Sequence, residues 1–185
     1  MTTTQTVWTP GPQAMKFTQA ILAKAPDAPF HLPVVALHEI GHLTAAMAHK
    51  CIPCRVRAYI IQGGPHDGYA NGDTCWRCSP MAAKTTPRQR AIISAAGIAA
   101  VRIYIDKDDP ACRLGGNDLK NIQAEGFKPA DVMRDACKLL WDHHAAIVRL
   151  TEVLSEKREL RAAELVGLLA FDPALESLDS VLKGK

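Results

Sequence analysis

The chain has 185 residues, of which 48% are apolar and 22% charged, so it is long enough to bury a hydrophobic core and ordinary in composition for a globular protein. Aromatic residues make up only 5% of the chain whereas Ala and Leu are abundant, which favours a mainly α fold over a β-sandwich. The net charge of +3 comes from cations and anions mixed along the chain, which excludes a strongly basic protein and predicts no nucleic acid partner.

The first 30 residues are predicted to form a partly disordered extension of a domain that spans residues 31–185. Thr and Pro are frequent before residue 13, and a short helix is predicted from Met15 to Lys24. The N-terminus lacks the basic start and apolar run of a signal peptide, and no run of about eighteen apolar residues predicts a membrane span. We therefore expect a cytoplasmic protein, in which structural disulfides are disfavoured.

The sequence from Val34 to Ala48 is predicted to form a helix that contains the pattern H-E-x-x-H. Pro33 suits the first helical turn, and small and apolar residues dominate the run. His38 and His42 lie one turn apart on one face, where two imidazoles can bind one Zn²⁺. Glu39 can reach a water on that metal as a general base. The alternative is a chance pair of helical histidines.

Three neighbours of the pattern are interpreted by their position. Gly41 is expected to leave room beside the metal. His49 lies seven residues beyond His42, too far along the helix axis to bind the same ion. His31 precedes the helix, and both outer histidines are expected to be solvated or capping residues.

A β-hairpin is predicted over residues 51–78, because apolar and polar side chains alternate from Arg55 to Ile61 and turn residues follow. Two C-x₂-C pairs flank it. Their cysteines are candidate ligands of a structural zinc ion that clamps the hairpin, namely Cys51, Cys54, Cys75 and Cys78. Redox pairs, or four unrelated buried thiols, are the alternatives. Cys112 and Cys137 stand alone and are expected to be core thiols.

Further helical segments are predicted after the hairpin. Apolar residues recur at helical spacing in the longer ones, and Gly97 among alanines is expected to permit close helix packing. In chain order the segments are Arg88–Ile105, Gly115–Ile122, Asp131–Glu156, Leu160–Leu169 and Pro173–Leu182.

A catalytic zinc ion needs a third protein ligand, and sequence spacing alone does not select it. Taken alone, Asp118 is typical of the start of a helix. The candidates are His66, Asp67, Asp106, Asp108, Asp109, Asp118, Glu125 and His144.

Three short motifs resemble the peptidase domain of the FtsH-type zinc metallopeptidases. They are His38-Glu39-Ile40-Gly41-His42 in an Ala-rich helix followed by a hairpin, Ala96-Gly97-Ile98-Ala99-Ala100, and Gly115-Gly116-Asn117-Asp118-Leu119. The similarity extends over roughly residues 30–170 in short motifs. It implies a zincin-like helical peptidase domain with a small β-hairpin. It also implies that Asp118 is the third ligand of the catalytic zinc, beside His38 and His42.

The function that this resemblance implies is zinc-dependent hydrolysis of a peptide or unfolded protein, with Glu39 as general base. Val101 departs from the pattern, because the family usually has a Glu after the paired alanines. The sequence has neither the family's ATPase motor nor its membrane anchor, so the chain is expected to act without its own ATPase or with a partner protein. The alternative is a non-catalytic protein-binding module on the same fold, with a structural zinc site.

Overall fold

The computed structural model describes residues 12–23, 32–62, 70–77, 85–105 and 116–169. Within these ranges the chain is mainly helical and has one small three-stranded antiparallel sheet, which confirms the mainly α prediction. The elements in chain order are α1 Pro12–Leu22, α2 Leu32–Ala48, β1 Ile52–Ile60, β2 Ala70–Arg77, α3 Pro87–Tyr104, α4 Gly116–Ala124, α5 Pro129–Trp141, α6 His144–Lys157, β3 Glu159–Arg161 and α7 Ala162–Leu169.

Helix α2 is the centre of the fold, because it is apolar on most sides and its neighbours α3, α6 and β1 pack around it. Leu37, Ile40 and Leu43 are fully buried within this helix. Glu39 and His42 are buried with them. Two buried polar side chains on an apolar helix require polar partners, since burial without them is costly.

Helix α3 approaches α2 closely at Gly41. A Cβ atom at this position would collide with the carbonyl oxygen of Ala96 and the Cβ atom of Ala100. The expectation that Gly41 leaves room beside a metal is therefore wrong, because the space is filled by the α3 backbone.

The start of α3 is stabilised by a capping box between Thr86 and Gln89.

The sheet has the strand order β2-β1-β3, and both pairs are antiparallel. The pair β1–β2 confirms the predicted hairpin, with Val56 opposite Thr74. Its register is irregular between Pro53 and Arg55. Because of the strand order, β2 lies at one side of the described sheet, and it packs next to α2.

Strand β3 corrects the prediction of one helix over residues 160–169, of which only residues 162–169 are helical. Arg158 has a φ angle of 69°, which ends α6 and turns the chain back along β1. Leu160 then lies opposite Val56, and both side chains are fully buried. A three-residue strand is too short for an alternating pattern, so the sequence carries no signal for it.

The prediction of a single helix over residues 131–156 is also wrong, because the chain forms α5 and α6 with a turn at Asp142 and His143. Helix α5 packs against α3, whereas α6 packs against α2, so one straight helix could not bury both apolar stripes. Leu140 and Ile147, on either side of the turn, are fully buried. The apolar stripe read from the sequence is therefore core, but it belongs to two helices.

Helix α1 lies within the segment predicted as an extension and overlaps the helix predicted there, but it begins three residues earlier, at Pro12. Its Ile21 is buried, and the Phe17 ring lies 5.7 Å from the Tyr104 ring of α3. The helix predicted over residues 173–182 lies outside the described residues. None of the helices in the described ranges is both long and apolar enough to cross a membrane.

Candidate metal centre

Helix α2 brings two imidazole rings together. His38 and His42 are one turn apart, and their Nε2 atoms are separated by 3.0 Å. The rings meet edge to face, with centroids 4.7 Å apart. Both Nε2 atoms therefore point to one common position.

Asp118, in the first turn of α4, supplies a carboxylate at the same position. Its Oδ2 atom lies 3.1 Å from Nε2 of His38 and 3.4 Å from Nε2 of His42. Among the described residues, His38, His42 and Asp118 are the group of potential metal ligands whose donor atoms converge. Of the eight candidates for the third ligand, the structure thus brings Asp118 to the histidine pair.

The separations between the donor atoms fit a tetrahedral zinc ion. Two donor atoms that are each about 2.1 Å from such an ion lie about 3.4 Å apart. The distances in this group are 3.0, 3.1 and 3.4 Å. Two imidazole nitrogens and one carboxylate oxygen also form a donor set that zinc accepts, with a fourth position left for water or substrate. The group can therefore hold a metal ion.

A hydrogen bond at Nδ1, on the side of the ring opposite the metal-binding Nε2 atom, fixes the orientation of the His42 ring. Its Nδ1 atom donates a hydrogen bond to the carbonyl oxygen of Ile93 in α3, at 2.7 Å. With the proton on Nδ1, the Nε2 lone pair is available to a metal. Helix α3 thus selects the tautomer that a ligand needs.

The ligands also change one another's proton affinity. Without a metal, burial raises the pKa of the Asp118 carboxyl group, but hydrogen bonds from protonated His38 and His42 outweigh this and hold the pKa well below its usual value. Burial lowers the pKa of His42, but Asp118, Glu39 and the Ile93 carbonyl outweigh this and raise the pKa above 6.5. Asp118 is therefore anionic at neutral pH, as a metal ligand must be.

Glu39 lies in the same cleft, and strand β2 holds its carboxylate. The Thr74 hydroxyl oxygen is 2.7 Å from Oε2 of Glu39 and 3.0 Å from its backbone carbonyl oxygen. Gly72, two residues earlier on β2, is so close that a Cβ atom there would collide with the Glu39 side chain. The hairpin therefore positions the candidate general base.

Gly97 provides the space for the two histidines. A Cβ atom at this position would lie 2.5 Å from Nε2 of His42 and 2.6 Å from Nε2 of His38. The sequence suggests only that Gly97 permits close helix packing. In the structure it lets α3 pass directly beside the ligand atoms.

The donor atoms face a cleft of about 320 Å³ between α2, β2, α3 and α4. Trp76, Ser94 and Asn121 also line it. Asp73 also lines the cleft, but its carboxylate is engaged by Arg57 at 2.7 Å. The cleft is thus polar at the metal ligands and carries an aromatic wall at Trp76.

The four-thiolate site is not shown by the described part of the chain. Cys51 precedes β1, Cys54 lies at the register irregularity and Cys75 lies on β2, and none of them is in a disulfide. Their sulfur atoms do not converge among the described residues as the donor atoms around Asp118 do. Cys78 lies outside the described residues, so the second zinc stays a prediction.

The other sequence candidates are not brought to the histidine pair where the structure describes them. Glu125 forms an ion pair with Arg90 at 2.6 Å, and the exposed His144 ring stacks on Trp141. His49 is not part of the cluster, as expected, but it is half-buried rather than solvated, and burial lowers its pKa. Besides Cys78, the residues considered in the sequence analysis that lie outside the described ranges are His31, His66, Asp67, Asp106, Asp108, Asp109 and Cys112.

Comparison with known proteins adds no relative to these observations. No protein-family model matches the sequence, and neither a curated protein nor a solved structure matches the chain.

Sequence reasoning missed Thr74 and Gly72 as parts of this site. Neither residue type is distinctive in a hairpin, and both are about 35 positions from Glu39. Their role depends on the contact between β2 and α2, and a single sequence carries no signal for such a long-range contact.

Proposed function

We propose that this protein is a zinc-dependent metallopeptidase that uses Glu39 as its general base. The observation that carries the proposal is the convergence of Nε2 of His38, Nε2 of His42 and Oδ2 of Asp118 within 3.4 Å, in one cleft with Glu39. This arrangement matches the one implied by the resemblance to FtsH-type peptidases.

His38, His42 and Asp118 would hold the zinc ion. Zinc in such a site polarises a carbonyl group and makes water acidic enough to be ionised near neutral pH. Glu39 would take the proton from the attacking water and pass it to the nitrogen of the leaving amine. The Thr74 hydroxyl would hold Oε2 of Glu39 in the orientation that proton transfer needs.

The shape of the site supports a peptide or loosely structured protein segment as the substrate. The cleft runs beside β2, and in the described part of the sheet β2 pairs only with β1. An extended peptide that lies along β2 would bring a backbone carbonyl group to the metal ligands. A folded protein surface would not enter a cleft of about 320 Å³.

The test combines metal analysis with cleavage of a flexible protein such as casein. The wild type is expected to contain one equivalent of zinc at this site and to cleave, and Glu39→Gln is expected to keep the zinc and lose cleavage. Asp118→Asn is expected to bind zinc much more weakly and to lose cleavage. Glu164→Gln, at an exposed carboxylate on α7, is the matched control and should change neither. Cleavage by Glu39→Gln would remove the mechanism.

The alternative, a non-catalytic binding module, predicts that the wild type binds a protein without cleaving it. Val101, where the resemblance leads one to expect a Glu, is buried in the apolar core and offers no polar support to the site. Tight capture of an unfolded protein that survives Glu39→Gln, without turnover by the wild type, would favour this alternative.

A second, structural zinc on Cys51, Cys54, Cys75 and Cys78 is a separate part of the proposal. Cys75→Ser should then lower the zinc content by one equivalent and leave the His38 site loaded. One zinc per chain in both wild type and Cys75→Ser would remove the second site and leave the first intact.

A further inference from the structure

A second cavity, of about 210 Å³, adjoins the metal cleft. The two cavities share three wall residues, Trp76, Ser94 and Asn121. The two cavities therefore adjoin each other along these three residues. We call the second cavity the side pocket.

One wall residue of the side pocket also contacts His42. Ile93 lines it, and the carbonyl oxygen of the same residue accepts the hydrogen bond from Nδ1 of His42. One turn of α3 thus forms both the support of a metal ligand and a wall of the pocket. The side pocket therefore adjoins the part of α3 that supports His42.

The described walls of the side pocket carry no unpaired charge. Arg90 and Glu125 both line it, but they bind each other through two hydrogen bonds of 2.6 and 2.7 Å. Arg90 also donates to the carbonyl oxygen of Thr85 at 2.6 Å. A charged ligand group would therefore lose its hydration without gaining a free counter-ion.

The remaining contacts are mostly apolar. The apolar wall residues are Cys51, Trp76, Ile93 and Ala124, and the uncharged polar ones are Thr85, Ser94 and Asn121. Binding of an apolar ligand group against such apolar walls is favourable because it removes apolar surface from water. The gain in binding free energy is proportional to the area buried.

We infer that the side pocket binds a large uncharged apolar side chain of the substrate, such as Leu, Met or Phe, next to the bond that is cleaved. This inference rests on the proposed peptidase function. The pocket would then determine which substrate residue is accepted beside the cleaved bond. Trp76 and Ala124 would set its width.

Ala124 is the position from which the pocket can be narrowed. It is exposed near the end of α4, and it lines the side pocket but not the metal cleft. Ala124→Leu should fill part of the pocket without touching the metal ligands. The preceding residue, Gln123, is also exposed on α4 and lines neither cavity. Gln123→Leu is therefore the matched control.

The first measurement uses quenched fluorescent peptides that differ only in one residue beside the cleaved bond. For wild type, kcat/KM is expected to be about tenfold or more higher with Phe or Leu at this position than with Ala, Asp or Lys. Ala124→Leu should reduce the ratio of Phe to Ala at least fivefold, whereas Gln123→Leu should leave it within twofold, both as rough thresholds. A ratio that Ala124→Leu leaves unchanged, or a preference for Asp or Lys, would overturn the inference.

The second measurement does not depend on turnover. Benzyl and methyl hydroxamates are titrated into the zinc-loaded protein by calorimetry, and the benzyl compound is expected to bind about tenfold more tightly. Ala124→Leu should remove this difference and Gln123→Leu should not. If the wild type shows the difference but cleaves no peptide, the peptidase function fails and the pocket assignment stands. If peptides are cleaved with a flat profile and both hydroxamates bind equally, the pocket assignment fails and the peptidase function stands. Failure to bind either hydroxamate, with no cleavage, overturns both.

Discussion

The hydroxyl oxygen of Thr74 lies 2.7 Å from Oε2 of Glu39. This contact joins strand β2 to the helix that carries both histidines. A Cβ atom on Gly72 would collide with the same Glu39 side chain, so the two elements approach as closely as a glycine allows. The hairpin is therefore part of the site, since it holds the candidate base.

Thr74→Val removes the hydroxyl group with little change in shape. If Thr74 is a positioning residue for Glu39, kcat should fall by about 10- to 100-fold, which is the range for a lost hydrogen bond to a charged group. Zinc content and melting temperature should stay close to those of wild type. Thr74→Ser keeps the hydroxyl group and should restore most of kcat, whereas an equal loss in both variants would count against the role.

Gly97→Ala should weaken zinc binding. The new methyl group would lie 2.6 Å or less from Nε2 atoms of both histidines, so α3 or the rings must shift. Displacement of groups that orient metal ligands typically costs about 10- to 100-fold in affinity. Competition with a chromogenic chelator measures the loss.

Gly167→Ala is the control for that experiment, because Gly167 lies in α7 with open space around it. It should leave zinc affinity unchanged and raise the free energy of unfolding by about 0.5–1 kcal/mol, the usual gain for Ala over Gly in a helix. Equal zinc affinity in wild type and Gly97→Ala would show that the ligand atoms do not meet beside α3.

Zinc affinity should fall as the pH falls, and the fall should begin above the ordinary histidine pKa of 6.5. The pKa of His42 is raised, so a proton competes with the metal at a higher pH than it would at an isolated imidazole. Below that pKa, each pH unit should raise the apparent Kd about tenfold for each proton displaced.

The same chelator competition, repeated between about pH 5 and 8, checks this prediction. Asp118→Asn removes a charge that raises the His42 pKa. In that variant the affinity is weaker, and its pH dependence should move to lower pH. An apparent Kd that does not change across the range would contradict the assignment of His42 as a ligand.

Leu160→Ala tests the strand that sequence reasoning missed. Leu160 is fully buried opposite Val56, so its truncation leaves a cavity in the core. Urea unfolding should show a loss of about 2–4 kcal/mol in the free energy of unfolding. The half-buried Leu139 of α5 is the comparison, and Leu139→Ala should cost clearly less. Similar losses at the two positions would contradict the full burial of Leu160.

Sequence reasoning predicted the parts of this molecule that depend on neighbouring residues. The helix with His38 and His42 one turn apart, the hairpin after it and the helix that begins near Gly116 all follow from local spacing and turn chemistry. It failed where packing decides the outcome. The turn at Asp142 exists because α5 and α6 face different partners, and β3 exists because Leu160 is buried against β1.

The sequence by itself determined that two imidazoles face one point, because helix geometry is the same wherever the helix lies. Spacing left eight side chains open as the third ligand, and the resemblance favoured Asp118. Only the tertiary structure brought the Asp118 carboxylate within 3.4 Å of both rings and placed Thr74 on Glu39. These contacts join segments far apart in the chain, and their distances are set by how α3, α4 and β2 pack around α2, which no local pattern of residues records.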